Sequence, residues 1–561
     1  MAAGGFLDLV NGTPYDWVVT SISQHHIQNW TDQFKPDGSF MKIPKKGGTA
    51  RLYIDWDTTD PGTHIGDAEI RMEGPNYTFI LHARSNHRKH IWVEFRNFSV
   101  QGYGQRQNKP GTALTINWVD DLAVAFILSG DSPTNFFPTN GPVSWMQASL
   151  PSIGDRPLRK ICMPGSNNSG MCQQTGPATA FADDDNSATQ WRDIHGQLVA
   201  GARYFDIRPC IGQGNRGKSQ IMCGCYSNTG EDTLLSWQGM NGLYLQDVID
   251  QVNQFLEEEG NKELVIINLS RGYNTDEGYR TLNAEEWDKV FAMLTDSSNG
   301  LEYLWKGPIE SSGSKKQLNS LWDITLNELI GKGTKGAAVV VVSESYDIAP
   351  DSPFANRGIF NKSQGDTYKS ETGSDSYGRI EIDQLEKMKK HGFSNPQLFQ
   401  LAWTATLTCE DDLDSILRIR GDELNMGLYS ALPSKVNPQT FPNILLVDCV
   451  GGFNPKNKDN GRTNSDPEET REKYFTCQGR NLATLAMAIN WLNTWNDCEA
   501  ADLEGAALQA RWDKFSVRVE ELGQKLGEYD SDADEAIMAT PDMIPNPGAL
   551  VGIRKFIGWD T

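Results

Sequence analysis

Apolar and polar residues alternate with a period of two through the first part of the chain. In the segment ARLYIDW, Leu52, Ile54 and Trp56 are separated by polar or amphipathic neighbours, and ALTINWV repeats the pattern. Such alternation indicates β-strands with one buried face. Further runs of this kind (YTFILHA, IWVEF and AVAFIL) are separated by glycine, proline, asparagine and aspartate. Residues 1–131 are therefore predicted to form an all-β sandwich domain.

Five tryptophans lie in this predicted domain. We expect them in its core because aromatic side chains are usually buried. The alternative is that some of them are exposed and bind a glycan or a lipid surface. The five residues are Trp17, Trp30, Trp56, Trp92 and Trp118.

The pattern changes after residues 130–145, which are rich in proline, glycine, serine and asparagine. Short and almost unbroken apolar runs follow, of the kind that strands buried on both faces show: LRKICM, RYFDIR, LVIINL, AAVVVVS, LFQLAW and NILLVD. Helical patterns lie between them. In LYLQDVIDQVNQFLEEE, for example, the apolar residues share one helix face: Leu245, Val248, Ile249, Val252, Phe255 and Leu256.

Repeated alternation of strand and helix predicts an α/β fold with a (β/α) TIM-type barrel. The barrel is expected over residues 151–496, after a linker and lead-in helix at residues 132–150. Residues 481–493, NLATLAMAINWLN, are predicted to form its closing helix, and residues 497–561 a helical extension and tail. Functional groups of such barrels lie at the carboxyl ends of the strands.

The chain is acidic, with a formal net charge of -22 and a sequence pI near 4.8. This charge repels nucleic acid backbones and anionic lipid surfaces, so neither is predicted as the main partner. No apolar run approaches the roughly 20 residues that span a bilayer. The first ten residues, MAAGGFLDLV, lack the pattern of a leader peptide.

Glycosylation sequons nevertheless favour passage through the secretory pathway, because four of the seven fall within the first hundred residues. We therefore predict a secreted glycoprotein whose leader is absent from this chain. Two of the sequons lie at predicted barrel strands, where a glycan would not fit, and these are Asn167 and Asn268. The others are Asn11, Asn29, Asn76, Asn97 and Asn361.

Three segments of the predicted barrel carry a resemblance to a known family. They are LRKICMPGSNNSGM, then QLVAGARYFDIRPCIG, and, one strand and one helix later, ELVIINLSRG. Together they resemble the X domain of the phosphatidylinositol-specific phospholipase C family, and in particular its fungal secreted branch, in which a β-domain precedes the barrel. The resemblance covers most of residues 144–493 and implies a phospholipase C-like phosphodiesterase barrel.

The chain departs from this family at its catalytic positions. The family's first motif normally reads PGTHDSG or PGSHDAG; its histidine deprotonates the attacking inositol hydroxyl, and a second histidine protonates the leaving group. Here Asn167 replaces the first histidine, Asn168 replaces its acidic neighbour, and Cys223 or Cys225 stands where the second histidine is expected. Losing two groups worth about 10² to 10⁴ each removes about 10⁴ to 10⁸ in rate, so ordinary phospholipase C turnover is not expected.

By resemblance, the equipment for binding an anion is retained. Arg208 stands where metal-independent members have an arginine and metal-dependent members hold calcium, so no calcium site and no cofactor are implied. Its guanidinium would pair with a phosphate or carboxylate while Asp206 orients it, or the two would form a buried ion pair. Asp448 matches the late-strand acid that partners the first histidine. Other strand ends are expected to contact the ligand through Ser270, Arg271 and Glu344.

The cysteines and histidines leave two questions about the site. Cys210 and Cys223 are expected to form a disulfide that clamps the loop after FDIR, which would leave Cys225 nearest the missing histidine. A catalytic thiolate at Cys225 is an alternative, but it needs a base. No metal site is predicted, because the histidines lie away from the strand ends: His25, His26, His64, His82, His87, His90, His195 and His391.

Three functions of different class fit this sequence. The first is an enzyme whose pocket is retooled for a non-hydrolytic reaction of a small molecule, an elimination or cyclisation of the kind found in secondary metabolism. The second is residual phosphatidylinositol hydrolysis with Cys225 or Asp448 as a substitute base. The third is a non-catalytic protein that binds a phosphorylated ligand or a glycan.

Overall fold

The computed structural model describes residues 3–56, 64–85, 89–101, 110–118, 123–139, 141–180, 182–214, 217, 219–228, 237–258, 260–308, 320–392, 397–406, 417–452 and 479–499. Its first part contains ten strands and one short helix, α1 (Trp30–Phe34). The strands are β1 (Ala3–Gly12), β2 (Trp17–His25), β3 (Lys42–Ile43), β4 (Gly48–Trp56), β5 (Ile65–Met72), β6 (Thr78–Arg84), β7 (His90–Phe95), β8 (Thr112–Asn117), β9 (Ala123–Ser129) and β10 (Phe137–Pro138).

These strands form two sheets whose buried faces share one core. One sheet has the order β10-β9-β1-β4 and the other the order β3-β2-β5-β6-β7-β8. Phe126 of the first sheet packs against Trp17, Phe79 and Phe95 of the second, with ring centroids 6.0, 5.5 and 6.3 Å apart. The period-two pattern of the sequence therefore reflects inward-facing residues of both sheets.

Trp92 is an exception to the expectation that the tryptophans lie in the core. Ile91, Val93 and Phe95 of β7 point inward, so Trp92 points outward, where it stacks on His82 with a centroid distance of 4.8 Å. Trp17, Trp30 and Trp56 are buried, and Trp118 packs on Trp56 at 5.6 Å.

The second part of the chain is built around an eight-stranded parallel sheet. Its strands are β11 (Met163–Ser166), β12 (Tyr204–Ile207), β16 (Leu264–Leu269), β19 (Ala338–Ser343), β20 (Ile359–Asn361), β21 (Thr367–Tyr368), β22 (Leu398–Trp403) and β23 (Ile444–Val447). A five-stranded side sheet comprises β13 (Pro209–Gln213), β14 (Ser219–Asn228), β15 (Trp237–Tyr244), β17 (Tyr273–Asn274) and β18 (Arg280–Thr281).

Nine helices are described in this part of the chain. They are α2 (Trp145–Ile153), α3 (Asp184–Ser187), α4 (Ile194–Val199), α5 (Leu245–Glu257), α6 (Ala284–Thr295), α7 (Leu326–Ile330), α8 (Tyr377–His391), α9 (Leu417–Ala431) and α10 (Asn481–Glu499). The apolar face predicted for α5 is confirmed as its buried face. The predicted helix at residues 481–493 is confirmed and continues to Glu499.

The parallel sheet has the strand order of a barrel but is open along one seam. Its order is β20-β19-β16-β12-β11-β23-β22-β21, so the strands follow the chain around the sheet. Within the described residues no hydrogen-bonded pairing joins β20 to β21, which are three and two residues long and are linked by a single 3₁₀ turn, Lys362–Gln364. The closed ring of strands that the sequence predicts is therefore not formed by these residues.

One predicted strand begins later than expected. Residues 158–160 of the run LRKICM form a 3₁₀ turn, and β11 starts only at Met163. The Leu158 amide donates to the carbonyl oxygen of Ile324, and the Asn443 side chain donates to the carbonyl oxygen of Arg159. These contacts bind the segment to a loop and a side chain instead of to a neighbouring strand.

The two parts of the chain share a buried surface. Val10, Ala125 and Ile127 of the four-stranded sheet point away from the six-stranded sheet and belong to the main hydrophobic cluster of the second part. Arg51 of β4 forms a two-bond ion pair with Asp8 and also donates to the backbone of α9. The four-stranded sheet is therefore buried on both faces. The extension predicted at residues 497–561 lies outside the described residues, except for the end of α10.

Two expectations that depend on a secreted chain are corrected. Asn11 is fully buried, and its Nδ2 donates to the backbone oxygens of Tyr15, Ile43 and Pro44, so this sequon cannot carry a glycan in the fold. The predicted disulfide is also absent, since Cys210 and Cys223 are both free. Cys223 lies opposite Pro209 across the β13–β14 ladder; its side chain and that of Cys210 therefore point to opposite faces.

No helix among the described residues combines the length and the apolar character that crossing a bilayer would require.

A buried ion pair fastens two helices to the lower end of the parallel sheet. Arg203 Nε and Glu263 Oε2 are 2.9 Å apart, and both side chains are fully buried. Glu263 also accepts the backbone amides of Met146 and Gln147 in the first turn of α2. Arg203 donates to the carbonyl oxygen of Leu198 in α4. Each charge is thus satisfied several times over, which is the condition for burying it.

We expect Glu263→Gln to lower the free energy of unfolding by about 3 to 5 kcal/mol, because it leaves the Arg203 charge buried without its counter-charge. Glu277→Gln is the matched control. Glu277 pairs with Arg280 at 2.5 Å but is 61% exposed, so its loss should cost about 0 to 1 kcal/mol. Urea unfolding monitored by circular dichroism measures both values. Equal losses in the two variants would contradict the structural role of the buried pair.

Candidate active site at the mouth of the parallel sheet

Six polar residues occupy the same position relative to their strands: each is the first residue after one of the six strands of the parallel sheet that are at least four residues long. Because the carboxyl ends of parallel strands meet at one edge, these side chains converge on the mouth of the sheet. Side chains alternate along a strand, so each of these residues points to the same side as the inward-facing residues earlier in its strand. Those earlier residues are mainly apolar and form a core below the mouth. The six residues are Asn167, Arg208, Ser270, Glu344, Thr404 and Asp448.

Three of these strands end in the same turn. The second residue after β11, β16 and β23 adopts the left-handed conformation without being glycine: Asn168 has a φ of 43°, Arg271 of 46° and Cys449 of 55°. Non-glycine residues in this region are uncommon and cluster at functional sites. The repeated turn carries the chain away from the mouth immediately after the residue that points into it.

A continuous hydrogen-bonded network connects four of the strand ends. Asn167 Nδ2 donates to Asp448 Oδ1 at 2.8 Å, and Arg208 Nη2 donates to Asn167 Oδ1 at 3.2 Å. Arg208 Nε donates to Asp206 Oδ2 at 2.8 Å, and Ser270 Oγ donates to Asp206 Oδ1 at 2.6 Å. This network fixes the orientation of the Asn167 amide, because its nitrogen faces a carboxylate and its oxygen faces a guanidinium.

Burial and charge give the two carboxyl groups of this hydrogen-bonded network very different pKa values. Burial raises the pKa of Asp448 to about 7, although bonds from Asn167 and the Ala405 amide act in the opposite direction. Burial also acts to raise the pKa of Asp206, but the charges of Arg208 and Lys369, together with the hydrogen bonds from Ser270 and Arg208, outweigh it and hold that pKa well below its usual range. Asp206 is therefore an anion at neutral pH, while Asp448 is divided between its two protonation states.

A second ion pair, formed by Glu344 and Lys369, lies beside this hydrogen-bonded network. Glu344 accepts a hydrogen bond from Asn268 Nδ2 at 2.7 Å and forms an ion pair with Lys369. Opposite charges nearby, including Asp206, outweigh burial and raise the pKa of Lys369, so it stays protonated. Sequence reasoning missed Lys369. It directly follows the two-residue strand β21, which is too short to show an apolar run.

The structure distinguishes the two cysteines that could stand in place of the second histidine. Cys223 packs against Gly170, whereas Cys225 accepts a hydrogen bond from Asn168 Nδ2 at 3.2 Å and lies at the mouth. Burial raises the pKa of the Cys225 thiol despite the charges of Arg208 and Arg271. Cys225 is thus a neutral thiol near pH 7, and the alternative of a catalytic thiolate has no support from its surroundings.

The described histidines lie away from this site. His195, on α4, pairs with Glu258 at 2.7 Å, and His391, at the end of α8, stacks on Tyr368. The others belong to the strands and loops of the first part of the chain. Among the described residues, no group of three or more histidine, cysteine or acidic side chains has the arrangement of a metal site.

Comparisons with known proteins give only distant likenesses. No family model matches this chain, and no curated protein matches it. Two structures of the Staphylococcus aureus phosphatidylinositol-specific phospholipase C, one from work on its membrane binding and one of a mutant, are similar at 13% and 16% identity. They cover 62% and 56% of this chain and 97% and 93% of their own, with TM-scores of 0.38 and 0.35.

The phosphatidylinositol-specific phospholipase C of Listeria monocytogenes is similar at 17% identity and a TM-score of 0.35, covering 60% of this chain and 98% of its own. Identities and TM-scores this low do not carry an activity from one chain to another.

Proposed function

We propose that the mouth of the parallel sheet is the active site of an enzyme on a divergent phospholipase C-like barrel. Its reaction is the elimination or cyclisation of a small polar molecule, without histidine-dependent proton transfer. The observation that carries this proposal is the fixed position of Arg208. Its guanidinium is held by Asp206 and by Asn167, so its charge is aimed before any ligand arrives.

A preorganised charge of this kind can lower a barrier by itself. Donors fixed toward the point where negative charge develops contribute about 10² to 10³ in rate each, because they need no reorganisation during the reaction. Arg208 is 9% exposed and Asn167 is 7% exposed. Both therefore lie in surroundings of low dielectric, where such a contribution is larger than in water.

The lining of the mouth favours a polar ligand. Charged and hydroxyl side chains lie beside the pair of Arg208 and Asp206, since Ser270 donates to Asp206 and the charge of Lys369, paired with Glu344, acts on Asp206. No tryptophan is among the six residues that directly follow the strands. A terpene-like ligand would need a lining of tryptophan and phenylalanine, whereas the six residues that follow the strands are polar. The ligand is thus expected to present several oxygen atoms to the protein.

Phosphodiester hydrolysis is the second candidate, and the position of Asp448 supports it. A carboxyl group whose pKa lies near 7 suits a general base. Against it, Asp448 is fully buried, and its two oxygens already accept hydrogen bonds from Asn167 and Ala405. A non-catalytic binding protein is the third candidate and remains as an outcome of the experiments below.

Consumption of a small molecule tests the enzyme proposal directly. We expect the purified chain, incubated with a mixed extract of small metabolites, to convert at least one compound with loss of water or without change in mass. Arg208→Lys should reduce that conversion about 10²-fold. A lysine keeps the charge but lacks the planar guanidinium, whose two nitrogens are hydrogen-bonded to Asp206 and Asn167. Mass spectrometry measures both rates. If neither protein consumes any compound relative to heat-inactivated samples, the non-catalytic candidate replaces the proposal.

Cleavage of phosphatidylinositol vesicles separates the first two candidates. We expect no release of inositol phosphates by the wild-type chain or by Asn167→His alone, since Cys225 cannot replace the second histidine. Asn167→His combined with Cys225→His should raise the release at least about 10²-fold. The matched control is Asn299→His, which changes an exposed asparagine. Measurable cleavage by the wild-type chain would instead establish residual hydrolysis.

Asp448 should also make stability depend on pH. Its pKa is raised from 3.8 to about 7, so the folded chain holds this proton more tightly than the unfolded chain does. The stabilisation is therefore complete below pH 4, falls as pH rises toward 7, and amounts to on the order of 4 kcal/mol. We expect Asp448→Asn to gain stability relative to wild type over this interval, in urea unfolding at several pH values. The control Asp351→Asn, at an exposed loop position, should show a constant difference.

A further inference from the structure

One carboxylate oxygen lies between two arginines at the mouth. Glu371 Oε1 is 3.9 Å from Arg208 Nη2 and 3.8 Å from Arg271 Nη2. The same Nη2 of Arg208 donates to Asn167, so its remaining hydrogen is free to face Glu371. An oxygen placed between two guanidinium groups has the position that an oxygen of a bound anion would take.

The backbone that carries Glu371 is fastened to α8. Lys387 Nζ donates to the carbonyl oxygens of Ser370 and Glu371 at 3.2 and 3.1 Å. Thr372 Oγ1 donates to Asp383 Oδ2 at 2.7 Å. The side chain of Glu371 is 40% exposed, in contrast to this fixed backbone. The backbone of Glu371 is therefore fixed. Only its side chain has to rotate for the carboxylate to leave its place between the two arginines.

The charges at the mouth are balanced in pairs. Arg208 pairs with Asp206 and Lys369 pairs with Glu344. Arg271, which is 51% exposed, has Glu371 as its nearby carboxylate. Asp448 adds further negative charge to the extent that it is ionised. A phosphate entering the mouth would consequently meet no excess of positive charge unless Glu371 left, and it would be repelled by Glu371 while that side chain stayed.

We propose that Glu371 is a specificity-determining residue that excludes phosphate and other anions from the two arginines. The oxygen that the ligand presents to Arg208 and Arg271 is then an uncharged one, a hydroxyl or carbonyl oxygen. A hydroxyl suits this arrangement because it can accept from a guanidinium and donate to a carboxylate at the same time. This inference rests on the proposed function in taking the mouth as the ligand site.

Binding of inorganic phosphate, measured by isothermal titration calorimetry, tests the exclusion without requiring turnover. We expect Glu371→Gln to bind phosphate at least about tenfold more tightly than wild type, because the amide removes the competing charge and keeps the size of the side chain. The matched control is Glu386→Gln on α8. Glu386 also faces a cation at 3.8 Å, Lys390, but lies away from the mouth, so its variant should bind like wild type.

A double variant assigns the phosphate to this position. Adding Arg271→Ala to Glu371→Gln should return the dissociation constant to the wild-type value, since one of the two cations is then removed. Arg271 is half exposed, so this change is not expected to unfold the chain. Phosphate binding by wild type as tight as by Glu371→Gln would overturn the inference, as would no gain in Glu371→Gln. Neither result depends on whether a metabolite is converted, so the two proposals fail separately.

Discussion

The mouth of this molecule depends on keeping ionised groups buried at the ends of parallel strands. A buried charge is tolerated only when an opposite charge and hydrogen bonds compensate for the loss of water. Asp206 and Arg208, two residues apart on one strand face, meet this requirement for each other, and Ser270 and Asn167 complete it. The positions of the neighbouring side chains follow from this pair.

Asn167 shows how a side-chain amide can connect two charged groups. Its two ends bind a carboxylate and a guanidinium, which an imidazole could also connect, but the amide cannot accept and return a proton near neutral pH. The network is therefore a fixed set of dipoles. The network presents charged groups of fixed orientation to a ligand, and Glu371 limits the approach of anions to its arginines.

The first part of the chain is packed against the parallel sheet and not merely attached to it. Its four-stranded sheet is covered on one face by the six-stranded sheet and on the other by the main hydrophobic cluster of the second part. Arg51 extends this contact by donating to a backbone oxygen of α9 while it pairs with Asp8. A motion that separates the two parts would expose both the apolar face and this ion pair, so they should unfold together.

By itself, the sequence determined six of the eight strands of the parallel sheet and the polar residue at the end of most of them. Periodicity reports which residues of an element face a core, and this gave the buried face of α5 and the strands ending before Arg208, Ser270, Glu344 and Asp448. Such patterns are local, because they need only the residues within one element.

Tertiary structure alone decided which of these side chains meet. Several features depend on the register of strands distant in sequence: the open seam beside β21, the place of Lys369, the position of Cys225 at the mouth and the separation of Cys210 from Cys223. The same holds for Glu371, which comes from a loop with no signal of its own. No local pattern encodes the distance between two elements, since that distance is set by how the whole core packs.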